Sequence, residues 1–408
     1  MKKTLKTLSV ALMLFLLLIF AVSCTGNQGP VDTGTESNEQ TTEKEDLNKD
    51  PIEHVHEYGE LTLILEPTCK SIGRIGRKCS CGLAVKERDL PKTDHVYNVL
   101  NVCITCGKRI VPSQGLELQS SPINGKAQFT LTGIGTCKDK NIVVPAYHNG
   151  APVVKIASGA FGNKDIEGIY IPSTVKEIGH SAFNSCGKLK TVSIPSTLKE
   201  IGSAFNNCHN IEYSKYEGCL YVGNDTNPYL YLMENEDENI SELKIHHDTL
   251  AIAEGALSRL SMREASTIHI PANLQRIENV SWFRAIEKIY IDDLKSFFSL
   301  DTTKNEIVSN TSLFLKGELV TELEIPEGVE QINNCLLAKN TSIVSVKIPK
   351  TLTKIKGKTF IDCNELQSVV FMDTEGWVDS TGSSLDVTDP KKNAETMCRN
   401  YWDWEKRE

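Results

Sequence analysis

The sequence predicts a β-rich repeat solenoid with a small cysteine- and histidine-rich module ahead of it. Each repeat of about 23 residues supplies a short strand plus a turn or short helix. Three observations carry this. The stretch "IPSTVKEIGHSAFNSCGKLKTVSIPSTLKEIGSAFNNC", Ile171 to Cys208, nearly repeats its first half in its second. The same 23-residue step returns from Ile325 to Ile348 and from Ile348 to Phe371. Finally, each copy carries only about six apolar side chains, too few to offset the entropy of ordering it, so copies are stable only when stacked.

Taken from its start, the chain first reads as an export signal over residues 1–23. Lys2, Lys3 and Lys6 precede an apolar run from Ala11 to Val22 that is too short to span a bilayer. Ala21-Val22-Ser23-Cys24 resembles a bacterial lipobox, which implies lipidation of Cys24; an ordinary cleaved signal is the alternative. Residues 24–51 follow as a tether. From Thr25 to Asp50 only Val31 and Leu47 are sizeable apolar residues, so this stretch is expected to stay unfolded. The expectation is a protein exported, lipid-anchored to a bacterial membrane and exposed at the cell surface.

Residues 52–112 hold the cysteine- and histidine-rich module. One unit runs through His56, Cys69 and Cys79-Ser80-Cys81-Gly82, and a second through His95 and Cys103-Ile104-Thr105-Cys106-Gly107. A Cys-x-x-Cys-Gly turn aims two thiolates at one point, and four nitrogen or sulfur ligands suit zinc. So small a segment, poor in core residues, also needs a staple. The set resembles zinc-ribbon-like modules of exported bacterial proteins. One ligand grouping is Cys79, Cys81, Cys103 and Cys106; another is Cys69, Cys79 and Cys81 with His56 or His95. Disulfides are the competing reading for an exported chain.

Residues 133–371 hold the repeats. In "KTVSIP", Val192 and Ile194 alternate inward around Ser193, and Pro195 ends the strand. Leu198, Ile201 and Phe205 then turn inward. Looser copies begin near Val144-Pro145, Ile245 and Ile270-Pro271, and the spacing is lost between Cys208 and Ile245. Cys186, Cys208 and Cys363 each fall three residues after Phe183, Phe205 and Phe360, which predicts small core residues in a ladder. His246-His247-Asp248 reads as a solvated turn. Residues 372–408, with Trp377, Trp402 and Trp404, read as a segment that caps the last repeat.

A 23-residue period lies in the leucine-rich repeat range. From Gly133 to Glu408 the chain resembles the BspA-like leucine-rich repeat surface proteins. "GNDTNPYLYL" (Gly223 to Leu232), "LFLKGELVTELEIPEGV" (Leu313 to Val329) and the tail built on Trp377, Asp389-Pro390, Ala394 and Tyr401 share in that resemblance. It implies adhesion or surface recognition, as for some members of the family, and nothing about the partner; the expectation is a protein or polysaccharide on a host, matrix or neighbouring-cell surface, contacted by the exposed strand face. The net charge of −9 argues against nucleic acid. No catalytic constellation is legible, and a non-enzyme is expected. The alternative is an accessory enzyme or metal-handling lipoprotein working through the Cys/His module.

Overall fold

The structure, a computed structural model, describes residues 57–407 apart from 200, 237–239, 258–265, 279–285, 303–309 and 334. The expected export signal and tether, Cys24 and His56 lie outside the described residues.

The module begins as an antiparallel meander of β1 (Tyr58–Leu65), β2 (Gly73–Cys79) and β3 (Ala84–Leu90). Its chain then folds into short bridges, Tyr97 with Cys103 and Val102 with Arg109. Only Cys69, Tyr97, Cys103 and Ile110 of the module are buried together, and they close over Ala146 of the array.

The array is a β-solenoid with two rows of parallel strands. The first row uses the segments just before the Ile-Pro pairs. It runs through Asn141–Val143, Gly168–Tyr170 and Thr191–Ser193, resumes at Glu242–Lys244, Thr267–Ile270, Lys288–Ile291 and Ser312–Leu315, and ends in Glu322–Glu324, Ser345–Ile348 and Ser368–Phe371. Glu322, Ser345 and Ser368 are register partners, so the 23-residue step of the sequence is the step of the ladder. The second row is built from pairs that sequence reading took for turn: Glu177–Ile178, Ala251–Ile252, Arg276–Ile277, Gln331–Ile332 and Lys354–Ile355. Two-residue strands are too short to show period-two alternation, which is why they were not legible.

Between the rows the apolar positions meet. Phe161, Phe183 and Phe205 form a continuous stack with centroids 5.2 and 4.9 Å apart and planes 8° and 5° from parallel. Beside it runs the thiol ladder. Cys186 donates to the Phe161 carbonyl and Cys208 to the Phe183 carbonyl, each at 3.0 Å. Cys363 does the same to Leu337 at 3.0 Å, and Cys398, off-phase in the sequence, continues the ladder by donating to Cys363 at 3.1 Å. A thiol at this position fills core space and satisfies a carbonyl of the previous copy.

Where the Ala-Phe turn is missing, a short helix replaces it. The helix α1 (Leu294–Phe298) is capped by Asp293, whose carboxylate accepts from the Ser296 N–H at 2.7 Å, and it buries Phe297 and Phe298 in the core. After the last first-row strand, α2 (Pro390–Met397) starts on Asp389, which accepts from Lys391 and Lys392, with Pro390 at its first position. Asn393 of this helix donates to the Val369 and Val387 carbonyls. Strand Trp404–Lys406 then pairs antiparallel with Lys354–Ile355. Trp377 and Trp404 pack around Phe371, whereas Trp402 is 66% exposed and takes no part in this core. Gly357 lets this return approach, since a side chain there would run into the Tyr401 carbonyl.

Replacing Phe183 by alanine should cost about 3–5 kcal/mol, because a buried ring leaves a hole that two rigid neighbours cannot fill. Urea denaturation of the purified protein measures this; a loss below about 1 kcal/mol would mean that the stack adds little beyond what the strands supply.

Candidate functional site

Chemistry-bearing side chains gather on the seam between the module and the array. The connection from β1 to β2 brings Cys69, the segment after β3 brings His95, and the following turn brings Cys103 and Cys106. Their Sγ and ring-nitrogen atoms all lie within 4.8 Å of one another. Cys69 Sγ stands 3.9 Å from Cys103 Sγ, and Cys106 Sγ stands 3.2 Å from His95 Nδ1.

The turn that presents the last two thiols is set by Gly107, whose N–H donates to the Cys103 carbonyl at 2.9 Å and whose φ of 76° suits glycine. Burial would push the Cys103 thiol up. The N–H groups of Cys106 and Thr105, helped by the His95 and Cys106 side chains, instead bring it down to about 6. Burial, then the adjoining Cys106 and Cys103 thiols, push Cys69 up to about 11. The Lys108 N–H points at Cys106 Sγ at 3.4 Å.

This grouping differs from both sequence-based ones. Cys69, Cys103, Cys106 and His95 come together, whereas Cys79 and Cys81 stand apart from them at the turn between β2 and β3, Cys79 buried and Cys81 exposed. The sequence suggested two echoing units; the cluster instead draws Cys69 from the first and the rest from the second. Sequence spacing could not show that, because the meander puts the β1–β2 connection beside the second unit's turn.

The array contributes to the site through the stretch where the repeat spacing fails. That stretch forms an antiparallel excursion, Ser214–Tyr216, Cys219–Val222 and Tyr231–Asn235. Its loop, Gly223 to Pro228, faces the module. Asp225 Oδ2 lies 3.3 Å from His95 Nε2 and also pairs with Lys108. Burial would raise the Asp225 carboxyl, but Lys108 and then His95 hold it below the usual carboxylate range. Asn224 donates to Asp94 Oδ1 at 2.8 Å, and Asp94 Oδ2 accepts from the N–H and hydroxyl of Ser196 at 2.7 and 2.9 Å. Burial raises the Asp94 carboxyl despite these donors. The Tyr97 and Tyr170 hydroxyls meet at 2.6 Å, and the Asn101 side chain accepts from the Ala146 N–H at 3.0 Å. Neither Asp225 nor Asp94 was singled out in the sequence. The broken period was the signal that could have found Asp225.

A cleft of about 920 Å³ runs between β2–β3 and the array, with Arg77, Arg88, Lys92 and Lys295 on its walls. Arg77 is neutralised by Glu87 at 2.5 Å. His246 is not a solvated turn residue: it is buried, stacked on Tyr229 at 3.8 Å with Tyr216 edge-on at 4.9 Å, and its Nδ1 accepts from the Asp248 N–H. His247 remains exposed. No helix among the described residues is long and apolar enough to cross a membrane.

Asp94→Ala should loosen the module from the array, since three donors lose their acceptor at a cost of about 1–3 kcal/mol. Hydrogen exchange should rise over residues 57–112 and stay unchanged over 325–371; uniform exchange would refute the docking role.

The profile of the BspA type leucine-rich repeat region matches the chain in six copies, over residues 154–289 and 306–381, together just over half of its length. No curated protein matches. Among solved structures, a leucine-rich cell surface protein from Faecalibacterium prausnitzii is similar at 20% identity, with a TM-score of 0.28, covering 64% of this chain and 76% of that one. A leucine-rich repeat protein from Bacteroides ovatus is similar at 18% identity and a TM-score of 0.27, covering 65% and 71%. The pneumococcal vaccine antigen PcpA is similar at 13% identity and a TM-score of 0.25, covering 65% and 88%. On the repeats it carries, this chain belongs to the BspA-type leucine-rich repeat family.

Proposed function

We propose that this is a lipid-anchored bacterial cell-surface protein whose repeat array recognises a protein or polysaccharide on a host, matrix or neighbouring-cell surface. The observation that carries this reading is the outward column of the first strand row. It is made by the residue immediately before the apolar residue that ends each segment, such as Val144, Ile171, Ile270 or Leu315. At the start of the row that column is Val143 and Tyr170, and the module packs onto both. The face is therefore already used once for docking a protein surface, with an aromatic anchor at its centre.

Further along the same phase the column reads Lys244, His269, Tyr290 and Phe314, neighbours in register. His269, Tyr290 and Phe314 form an aromatic column, with centroids 4.6 and 4.5 Å apart and planes 12° and 13° from parallel. Glu242 accepts from or pairs with His269 at 2.7 Å on its flank. These rings are half-buried and lie outside the core, so a partner that covers them removes apolar surface from water without reorganising the fold. Aromatic residues at the centre of a polar face are the composition of recognition surfaces.

Two variants test the reading. Tyr290→Ser with Phe314→Ser should lower adherence of cells displaying the protein, or binding of the purified chain to surface glycans and proteins, by at least about tenfold, given the 1–3 kcal/mol expected of such anchors. Its melting temperature should stay near that of the parent; full binding with both rings removed would refute this face. Cys24→Ser should move the protein from the membrane fraction to the soluble exported fraction. Retention in the membrane would refute the lipid anchor.

A further inference from the structure

We propose that Cys69, His95, Cys103 and Cys106 bind one zinc(II) ion as a closed structural centre, and that Asp225 of the repeat array makes that centre the clamp between module and array.

The first half rests on the donor set and its spacing. Zinc held by thiolates and imidazole places neighbouring ligand atoms roughly 3.4–3.8 Å apart in a tetrahedron. The two spacings recorded here, 3.9 Å between Cys69 and Cys103 and 3.2 Å between Cys106 and His95, bracket that range. A disulfide brings two sulfurs to about 2.05 Å and draws cysteines into pairs. Here three thiols and a ring nitrogen face one common point. Three soft thiolates and one imidazole suit zinc better than calcium, magnesium or manganese, which prefer oxygen. All four tetrahedral positions come from the protein, so no position is left for water or substrate, and the centre is structural.

The turn supplies what a thiolate centre needs beyond its ligands. The N–H group of Lys108 points at the Cys106 sulfur at 3.4 Å. Such donors spread the negative charge of three thiolates. Around this centre the module has almost no core of its own, since among its described residues Tyr97 and Ile110 are the only large buried side chains besides the cysteines and His95. A metal would supply the folding free energy that burial does not.

The second half rests on Asp225. A metal-binding histidine commonly gives its other ring nitrogen to a carboxylate, which fixes the tautomer and turns the ring toward the ion. His95 does this across the seam: Nδ1 faces the thiols, and Nε2 faces Asp225 Oδ2 at 3.3 Å. Lys108, one residue past the Cys103–Gly107 turn, holds the same carboxylate. The carboxylate belongs to the loop between Cys219–Val222 and Tyr231–Asn235, that is, to the array. Loading the centre orders His95, and ordered His95 and Lys108 hold the array's loop.

The test uses the full chain purified without chelator. Elemental analysis should find a zinc ion that Cys103→Ser removes and that survives in the double variant Cys79→Ser, Cys81→Ser. Zinc affinity, measured by competition with a chromophoric chelator, should fall 10- to 100-fold in Asp225→Asn. In that variant, protease should also cut between module and array faster. Cobalt(II) in place of zinc should give intense thiolate absorption bands, a readout that stands even if Cys103→Ser fails to fold. Metal-free protein with Cys69 and Cys103 joined in a disulfide would overturn the centre, and iron in the site would overturn the choice of metal. Unchanged affinity and cleavage in Asp225→Asn would overturn the clamp.

Discussion

Each parallel strand of the array finds its backbone partners in the adjoining copy, 23 residues away where the repeat is regular, as Ser345 does with Ser368 and Lys354 does with Gln331, and this register constrains every other choice in the repeats. Strands two to four residues long cannot persist on their own, and a copy off the register would leave carbonyls buried without donors. The register also dictates side chains. Phe161, Phe183 and Phe205 stack as flat rings at the ladder spacing, and three residues after Phe183, Phe205 and Phe360 a small side chain both fills space and reaches a carbonyl. Cysteine does both, which accounts for Cys186, Cys208 and Cys363 better than any redox role.

The regular copies meet the module with side chains that stand on the ladder, Tyr170 and Ser196. The excursion between Cys208 and Ile245 breaks the period and frees Asn224 and Asp225 to face something other than the next copy. They face the module, through Asp94, His95 and Lys108. Irregularity in a solenoid is thus where individual side chains acquire individual tasks, and here the task is joining two unlike pieces of one chain.

The repeats were readable because periodicity is redundant: Ile171, Ile194, Ile325 and Ile348 announce the same inward position four times over. The second strand row was not readable, because Glu177–Ile178 and its equivalents are too short to carry a pattern. At the site, residue types were legible and grouping was not. Cys103 and Cys106 came as one motif, but Cys69 joins them only through the folding of the meander, and Asp225 lies more than a hundred residues away. His246 was misread for a related reason: its partners Tyr216 and Tyr229 come from the excursion, whose course the period does not foretell.

The second strand row opens with Glu117–Ser120 antiparallel to Phe129–Gly133 and closes with the antiparallel pair of Trp377–Asp379 and Trp404–Lys406 set against Lys354–Ile355. A neighbouring molecule therefore meets, at either end, a strand that belongs to an antiparallel pair rather than to the parallel ladder. Each end of the row is thus built unlike the repeats between, as the caps of a solenoid are. The same arrangement lets the gene gain or lose whole 23-residue units internally while both termini, the module seam and the tryptophan-lined end stay untouched. The length of the array can then vary by whole copies, with no new design at either end.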